Sequence, residues 1–285
     1  MLIDTHAHLD YPDFAEDLPG VILRAAENGV ERIVTIGTGL ESSARAVALA
    51  DANPGVYAVI GVHPTNVEEE IADFLPRLRE LAANPKVVAI GETGLDYHNL
   101  PGSEPDPSPA LAALGAGSAE ATHAELLNGA YKAAQNDAFR MQLDLAVELG
   151  LNVVIHQRDA WADTLEILKP YTGKVRGVFH CFGGTAEMAA EIRELGHLVS
   201  FTGIVTFKNA TQVQEAAASI PTGGYMVETD CPYLAPDPHR GKRCEPWHTA
   251  LIANHLADLR NMSPAQVAEE TSATAEAFFA FSRSR

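Results

Sequence analysis

The stretch Leu2-Ile3-Asp4-Thr5-His6-Ala7-His8 decides the interpretation of this chain, because a short, largely apolar run ends in two histidines. Similar strand-sized runs recur down the sequence, and segments with helical spacing lie between them. The predicted strands are Leu2–Thr5, Arg32–Ile36, Tyr57–Gly61, Val87–Gly91, Asn152–Ile155, Arg176–Phe179, Leu198–Phe201 and Tyr225–Glu228. The predicted helices between them are Leu40–Asp51, Val67–Ala83, Phe139–Leu149, Ala160–Leu168, Ala186–Leu195 and Ala210–Ala218.

This alternation predicts an α/β fold in which parallel strands are joined by right-handed crossovers. Eight strand–helix units in about 250 residues fit a closed (β/α)₈ TIM barrel. A doubly wound open sheet is the alternative. Two further helices are expected after the last strand, and the second begins at Ser263-Pro264-Ala265-Gln266, a sequence typical of a helix N-terminus. No linker is visible, so we expect residues 1–285 to form one domain.

One segment differs in composition from the rest. Residues from Pro101 to Gly129 are rich in Pro, Gly, Ala and Ser, and no Lys or Arg occurs between Val87 and Tyr131. We interpret residues 101–129 as an insertion in the loop after the fourth strand, mobile and with a short helix near Ala119–Leu127. A solvated surface loop and a lid over the site both stay open as interpretations.

Composition limits the classes of protein that the chain can belong to. With 46% hydrophobic and 20% charged residues, the 285-residue chain is typical of a globular protein. Its net charge of −18 should repel nucleic acid at long range. Three cysteines, few and odd in number, indicate a reduced, cytoplasmic protein. The sequence shows neither a membrane-spanning run nor a signal-peptide pattern, and it predicts no obligate protein partner.

Polar residues end several of the predicted strands. The carboxyl ends of barrel strands form one mouth, where active sites lie. His6 and His8 point the same way, because side chains alternate along a strand. Buried imidazoles and carboxylates without partners would be costly, and a divalent metal supplies the missing partner. The residues expected to converge are His6, His8, His63, Glu92, His156, His180 and Asp230.

Imidazole and carboxylate ligands suit Zn, Mn, Fe or Ni rather than Ca. So many ligands exceed what one catalytic ion usually takes from a protein, so two divalent ions are predicted, bridged by a carboxylate and by water. Such a pair produces hydroxide at neutral pH and holds both oxygens of a displacement. The identity of the ions stays open, with Mg among the candidates.

The motifs and their order resemble the TatD family of metal-dependent deoxyribonucleases, within the amidohydrolase superfamily. The resemblance extends from residue 2 to about residue 280, and its motifs together are specific. The stretches that carry it are Asp4-Thr5-His6-Ala7-His8-Leu9-Asp10, Gly61-Val62-His63-Pro64, Gly91-Glu92-Thr93-Gly94-Leu95-Asp96-Tyr97, His156-Gln157-Arg158-Asp159-Ala160, Phe179-His180-Cys181-Phe182, Gly203-Ile204-Val205-Thr206-Phe207-Lys208 and Glu228-Thr229-Asp230-Cys231-Pro232-Tyr233.

The resemblance implies a role for each strand-end residue. His63 would contact the scissile phosphate, and Asp230 would take a proton from the attacking water, so His63, Asp230 and Glu92 are the implied catalytic residues. The implied metal ligands are His6, His8 and Asp230 for one ion, His156 and His180 for the second, and Glu92 as the bridge.

The implied activity is that of a hydrolase acting on ester bonds, a nuclease that trims single-stranded DNA from the 3′ end by a metal-activated water. Arg240 and Arg243, in a basic cluster after Asp230, are expected to meet phosphates. Cys244 stands where the family often has Asn, which puts substrate contacts there in doubt.

Two other classes of function stay open. One is an amidohydrolase that acts on a small-molecule ester, lactone or amide, and the other is a non-catalytic binding protein on the same barrel. Several amidohydrolase relatives carry a modified Lys at the fourth strand, where this chain has Glu92, and that difference favours the TatD interpretation.

Overall fold

Eight parallel strands form one sheet in the computed structural model, which describes residues 1–70, 74–103 and 117–281. Each strand pairs with the next one along the chain, so the spatial order is the sequence order. The strands are β1 (Leu2–Ala7), β2 (Val30–Ile36), β3 (Val56–Ile60), β4 (Val87–Asp96), β5 (Asn152–Arg158), β6 (Gly177–Phe179), β7 (Leu198–Phe201) and β8 (Tyr225–Val227).

Helices connect successive strands, and two more follow β8. They are α1 (Leu18–Glu27), α2 (Leu40–Ala52), α3 (Val67–Glu70), α4 (Phe74–Ala82), α5 (Gly117–Leu149), α6 (Trp161–Leu168), α7 (Ala186–Glu194), α8 (Thr211–Ser219), α9 (Thr249–Arg260) and α10 (Pro264–Phe279). Short 3₁₀ turns lie at Pro12–Phe14, Pro64–Asn66, Pro101–Ser103, Lys169–Tyr171, Gly203–Thr206 and Pro246–His248. Over the described ranges, every helix is too short or too polar to span a membrane.

Hydrogen bonds between β1 and the segment after β8 close the sheet into a barrel. Ala7 and Cys231 form a parallel bridge. The Asp230 amide donates to the His6 carbonyl at 2.8 Å, and the His8 amide donates to the Cys231 carbonyl at 2.9 Å. The prediction of a (β/α)₈ barrel is therefore confirmed, and the open-sheet alternative is wrong. The same hydrogen bonds fix Asp230 beside His6 and His8.

The core has two layers because side chains alternate across each strand. Ile33 faces the surrounding helices, whereas its neighbour Val34 lies in the apolar cluster inside the barrel. Phe278 and Phe279 of α10 pack into that inner cluster, each 2% exposed. Burial of one such side chain stabilises the fold by about 1.5–3 kcal/mol. The carboxyl ends of the strands, at the other mouth, carry the polar residues.

The start of α10 agrees with its prediction. Ser263 is the N-cap, its Oγ accepts a hydrogen bond from the Gln266 amide, and Pro264 is the first helical residue. Such a cap satisfies backbone donors that would otherwise be unpaired at the helix start.

Strand β4 is longer than predicted. It continues past Gly91 to Asp96, because Thr93 to Asp96 pair in register with Ile155 to Arg158 of β5. A Cβ atom on Gly94, whose φ is +141°, would lie 2.0 Å from the His156 carbonyl oxygen. Glycine is therefore required for this close approach, which brings Glu92 and His156 together.

The segment after β4 also differs from its prediction. The helix predicted near Ala119–Leu127 is present, but it is not short: it is the first part of α5, which is continuous from Gly117 to Leu149, and Gly129 does not end it. Residues 104–116, the centre of the predicted insertion, lie outside the described residues. The two interpretations of this segment, a surface loop and a lid, therefore both stay open. The helix predicted over Val67–Ala83 corresponds to α3 and α4, with residues 71–73 also outside the described part.

Buried His197 gives the fold a specific pH dependence. Its Nδ1 accepts the Gly177 N–H at 2.8 Å. Burial, together with the charge of Arg176, lowers the pKa of His197 from 6.5 to about 4. The unfolded chain therefore binds a proton at a higher pH than the native chain does. The stability from this group is complete above the unfolded pKa and is lost as the pH falls from there towards 4.

The variant His197→Asn keeps an acceptor for the Gly177 amide but cannot titrate. Between pH 7 and pH 4.5, its free energy of unfolding should fall by about 2 kcal/mol less than that of the wild type. Urea unfolding at the two pH values measures the difference. Equal losses in the two proteins would contradict the assignment.

Candidate metal centre

The structure brings all seven strand-end residues to one mouth of the barrel. They come from different strands, so the barrel and not local sequence holds them together. His6 lies in β1 and His8 just after it, His63 follows β3, Glu92 lies in β4, His156 in β5, His180 just after β6, and Asp230 after β8.

The Glu92 carboxylate lies at the centre of this cluster, with its side chain 4% exposed. Its Oε1 is 2.7 Å from His180 Nε2 and 2.9 Å from His156 Nδ1. The same oxygen is 3.4 Å from His63 Nε2, and Oε2 is 3.4 Å from His6 Nε2. One buried carboxylate therefore contacts imidazoles from four strands.

Asp230 forms the second carboxylate of the cluster. Its Oδ1 is 3.3 Å from His8 Nε2 and 3.5 Å from His6 Nε2. The backbone of Asp230 has a φ of 56°, in the left-handed region, and its amide is held by the His6 carbonyl. Asp is among the residues that enter this region most readily, so the closing hydrogen bonds can aim its side chain at the cluster.

The charges in the cluster depend on one another. Burial favours the neutral form of Glu92, but the surrounding imidazoles, with His180 first among them, together outweigh burial and hold the pKa of Glu92 well below its usual value. Burial likewise favours neutral His180, yet the Glu92 charge raises the pKa of His180 well above its usual value. A buried carboxylate that stays ionised needs positive charge against it.

The donor set fits divalent metal ions. Nε2 atoms of His6 and His8 lie 3.3 Å apart, and His156 Nδ1 lies 3.2 Å from His180 Nε2. Imidazole nitrogens that face each other so closely are compatible with a shared proton or with a cation that both can bind. Imidazole with carboxylate is the ligand chemistry of Zn, Mn, Fe and Ni. Three groups of ligand atoms close enough to hold an ion are His6, Glu92 and His180; His6, His8 and Asp230; and His63, Glu92 and His156.

Asp96 is part of the cluster, although the sequence analysis gave it no role. Its Oδ2 lies 3.3 Å from His156 Nε2, and its Oδ1 accepts the His98 amide at 2.9 Å. Burial opposes ionisation of Asp96, but the hydrogen bond with His156 and its charge, together with the amides of His98 and Asn99, outweigh burial and lower the pKa of Asp96 to about 2. A carboxylate on the far nitrogen orients an imidazole for metal binding. The sequence carried one signal for this role: Asp96 lies four residues after Glu92, and residues an even number apart on a strand share a face.

Two further buried carboxyl groups hold the loops that carry the ligands. Glu228 accepts hydrogen bonds from Ser200 Oγ and from the Cys181 amide, both at 2.6 Å, and so fixes the residue after His180. Asp4 accepts from the Thr229 amide at 2.9 Å and from its hydroxyl at 2.7 Å. Burial raises the pKa of Asp4 to about 8. Each carboxyl group thus fixes a residue next to a candidate ligand: Glu228 fixes Cys181 beside His180, and Asp4 fixes Thr229 beside Asp230.

The structure places Arg240 and Arg243 away from the cluster. Arg243 donates to both Asp17 carboxylate oxygens and to Glu245, and the Arg240 guanidinium lies 4.2 Å from the centre of the Phe207 ring. Neither residue lines the cavity above the cluster. Cys244 is buried, with its Sγ 3.7 Å from His248 Nδ1, so it does not face that cavity either.

The cavity above the cluster has a volume of about 480 Å³. Besides the candidate ligands it is lined by polar and aromatic side chains: Tyr11, Thr38, Thr65, Asn66, Asp96, Asn99, Arg158 and Tyr233. Tyr11 stacks on His8 with ring centres 4.7 Å apart, and Tyr233 is 54% exposed at the rim. The ligand cluster thus lies at the floor of an open, polar cavity.

A histidine–carboxylate cluster at the carboxyl end of a closed (β/α)₈ barrel defines the class of metal-dependent hydrolases. Comparison with known proteins agrees with this class. The family model described as TatD related DNase matches residues 3–280. The chain therefore belongs to the TatD family.

Individual relatives span nearly the whole chain. The uncharacterized metal-dependent hydrolase YabD of Bacillus subtilis is 39% identical, covering 98% of this chain and 99% of its own. The protein of Citrobacter rodentium named 3′-5′ ssDNA/RNA exonuclease TatD is 33% identical, with coverages of 98% and 97%. The crystal structure of YJJV, a TatD homologue from Escherichia coli K12, superimposes with a TM-score of 0.82 at 26% identity, covering 98% of each chain.

Removal of the central carboxylate should weaken metal binding. An ion that binds only the native state raises Tm by mass action, so Mn²⁺ or Zn²⁺ should stabilise the metal-free wild type. Glu92→Gln should lower the affinity for the ion by at least about 10-fold, which is the lower end of the effect of losing a supporting partner. Isothermal titration and the metal-induced shift in Tm measure this.

The matched control is Glu269→Gln, which removes an exposed carboxylate on α10. It should keep the metal response of the wild type. A Glu92→Gln protein that binds metal as tightly as the wild type would remove Glu92 from the ligand set.

Proposed function

We propose that the protein is a 3′–5′ exonuclease that hydrolyses phosphodiester bonds of single-stranded DNA with two bound divalent ions. The contact of Glu92 with imidazoles on both sides of the mouth is the observation that carries this proposal, because one carboxylate there can serve two ions. The printed name of the Citrobacter rodentium relative supports the class of substrate.

The assignment of ligands follows the two sides of the cluster. His6, His8 and Asp230 are proposed to hold one ion, and His156 and His180 the other, with Glu92 between them. The contacts of His8 with Asp230, and of His156 and His180 with Glu92, support this division. When bound, the ions supply a hydroxide at neutral pH and positive charge for the phosphoryl oxygens.

Two side chains of the protein, Asp230 and His63, are proposed to accept and donate the protons of the reaction. Asp230 is 15% exposed towards the cavity. Burial raises its pKa, but the hydrogen bond with His8 and the neighbouring imidazoles together outweigh burial and lower the pKa, so an ionised carboxylate is available as a general base. His63 Nδ1 accepts the Thr65 amide at 3.2 Å, so neutral His63 carries its proton on Nε2. His63 Nε2 lies 3.4 Å from Glu92 Oε1 and His63 lines the cavity, and we propose that this N–H donates to a phosphate oxygen of the bound substrate.

Arg158 is a better candidate for the phosphate contact than Arg240 and Arg243, the two arginines predicted from the sequence. It ends β5 and lines the cavity above the cluster, and it forms none of the ion pairs found in residues 1–70, 74–103 and 117–281. Arg240 is exposed and stays a proposed phosphate contact. Arg243 would first have to leave Asp17 and Glu245.

The alternative of a small-molecule amidohydrolase is not favoured, because the chain belongs to the TatD family and carries Glu92 on β4. We also propose that the chain works as one domain, since strands from Leu2 to Val227 form one sheet and the family model spans residues 3–280. Three free cysteines support the proposal of a reducing compartment, the cytoplasm.

Hydrolysis of 5′-labelled single-stranded DNA by the metal-loaded protein tests the proposal. A ladder that shortens from the 3′ end is expected with at least one of Mg²⁺, Mn²⁺, Zn²⁺ or Co²⁺. In Asp230→Ala the rate should fall by at least about 10³-fold, because a metal ligand and a general base are lost together.

The control Asp258→Ala removes an exposed carboxylate of α9 and should keep full activity. Full activity in Asp230→Ala would exclude Asp230 from catalysis. A wild type that binds metal but leaves DNA intact with every ion would exclude the DNase function.

Arg158 and Arg243 form a matched pair for the phosphate contact. Arg158→Ala should raise KM for DNA by about 10-fold and reduce the salt dependence of kcat/KM by about one charge, as expected for loss of one phosphate contact. Arg243→Ala should leave KM near the wild-type value and lower Tm, because it breaks contacts with Asp17 and Glu245. Steady-state kinetics at several salt concentrations and thermal unfolding distinguish the two; the reverse result would restore Arg243 as the phosphate contact.

A further inference from the structure

A second cavity of about 860 Å³ opens beside the metal centre. It shares four wall residues with the cavity above the cluster, namely His156, Arg158, His180 and Asp230. The two cavities therefore meet over the candidate ligands, where a scissile phosphate would lie. The rest of its wall comes from the end of β5 and the residue after it, α6, the end of β6 and the segment after it, α7, α8, and the loops after β7 and β8.

The two cavities differ in chemistry. Apart from the cluster, the first presents hydroxyl and amide groups such as Thr65, Asn66 and Asn99. The second presents large apolar side chains, which are Trp161, Phe179, Phe182, Met188, Ile204 and Leu234. Apart from the residues shared with the first cavity, its polar side chains are Gln157, Asp159, Cys181 and Gln212. The Gln212 amide already donates to the Gly183 carbonyl at 2.9 Å, and Asp159 Oδ2 lies 2.8 Å from His98 Nδ1. A ligand in the second cavity would thus be held mainly by apolar and stacking contacts, and less by hydrogen bonds.

The aromatic wall is fixed before any ligand enters. The Trp161 indole N–H donates to Glu191 Oε2 at 3.1 Å, which fixes the ring plane. Phe182 is 7% exposed and meets Phe201 edge to face, with ring centres 6.3 Å apart. A Cβ on Gly184 would lie 2.7 Å from Phe182 Cζ and 3.1 Å from Met188 Sδ, so glycine lets both side chains reach this wall.

We propose that the second cavity is a nucleobase subsite, which takes the base of one nucleotide beside the scissile phosphate and stacks it on Trp161. The inference rests on the proposed function, because it names how that site holds its substrate. A flat, apolar-faced group joined to a phosphate matches an aromatic cavity joined to a phosphate-handling cluster. Stacking on such a wall tolerates every base, since each base has a π-face. The subsite therefore selects nucleotides over other phosphate esters without reading sequence.

The turn after His180 also favours a nucleobase as the occupant of the second cavity. The backbone of Cys181 is in the left-handed region, with a φ of 47°, and Cys181 lines the second cavity. The turn after His180 thus aims Cys181 and Phe182 at the same space. The loop that begins with the ligand residue His180 also forms part of the wall, so the base and the phosphate would be positioned together.

Base-free substrates test the subsite. Three 5′-labelled single strands are compared: one intact, one with a tetrahydrofuran residue at the 3′ end, and one with it at the penultimate position. One of the two replacements should lower kcat/KM of the wild type by about 10-fold, mainly through KM, within the range of one base–aromatic stack. In Trp161→Leu the intact strand should lose the same factor, and the penalty for the missing base should shrink to about 2-fold.

The chain offers a matched control, because Trp161 and Trp247 are its two tryptophans. Trp247 packs against His248 and does not line either cavity, so Trp247→Leu should keep the full penalty for the missing base. A penalty that is absent in the wild type, or unchanged in Trp161→Leu, would overturn the subsite while leaving the nuclease function intact.

Binding without catalysis separates the two proposals. In Trp247→Phe the emission comes from Trp161 alone, so thymidine 5′-phosphate should quench it and should bind about 10-fold more tightly than 2-deoxyribose 5-phosphate. Quenching by the nucleotide in a protein that cleaves no DNA would keep the subsite and overturn the exonuclease. Equal affinity for the two ligands would overturn the subsite whatever the protein cleaves.

Discussion

The burial of the Glu92 carboxylate is the constraint on which the rest of the site depends. A charge at 4% exposure is tolerable only with positive charge around it, and here imidazoles from β1, β5 and the segments after β3 and β6 surround it. Only a closed barrel brings those strand ends to one point. The close approach of β4 and β5 at Gly94, and the hydrogen bonds that close β1 onto the segment after β8, are therefore requirements of the site as much as of the fold.

Much of the fold follows from the sequence, because strand-sized apolar runs and helical spacing are local properties. The failures are also physical. The end of β4 contains Gly91 and Gly94 and resembles a loop, and only its pairing with β5 makes it a strand. The start of α5 is poor in charge and contains Gly129, so its local composition predicted only a short helix there, whereas the helix runs from Gly117 to Leu149.

The convergence of the strand-end residues could also be predicted, because the carboxyl ends of all strands in a parallel barrel lie at the same mouth. The division of the ligands between two ions stays a prediction. Contacts between distant segments could not be read from the sequence. Arg243 looked like a free cation because Asp17, its partner, lies 226 residues earlier in the chain. Asp96 was overlooked because its role depends on the orientation of the His156 ring.

The ion pairs around the mouth have a consequence for how a long strand would be processed. Arg24 and Arg243 are held by Asp17 and Glu245, and Arg45 by Asp10, within a chain of net charge −18. These cations are neutralised by the protein itself, so a strand gains little attraction from them beyond the mouth. After each cut, a shortened strand would have few contacts to keep it bound. Trimming would therefore be distributive, with release and rebinding between successive nucleotides, and not processive.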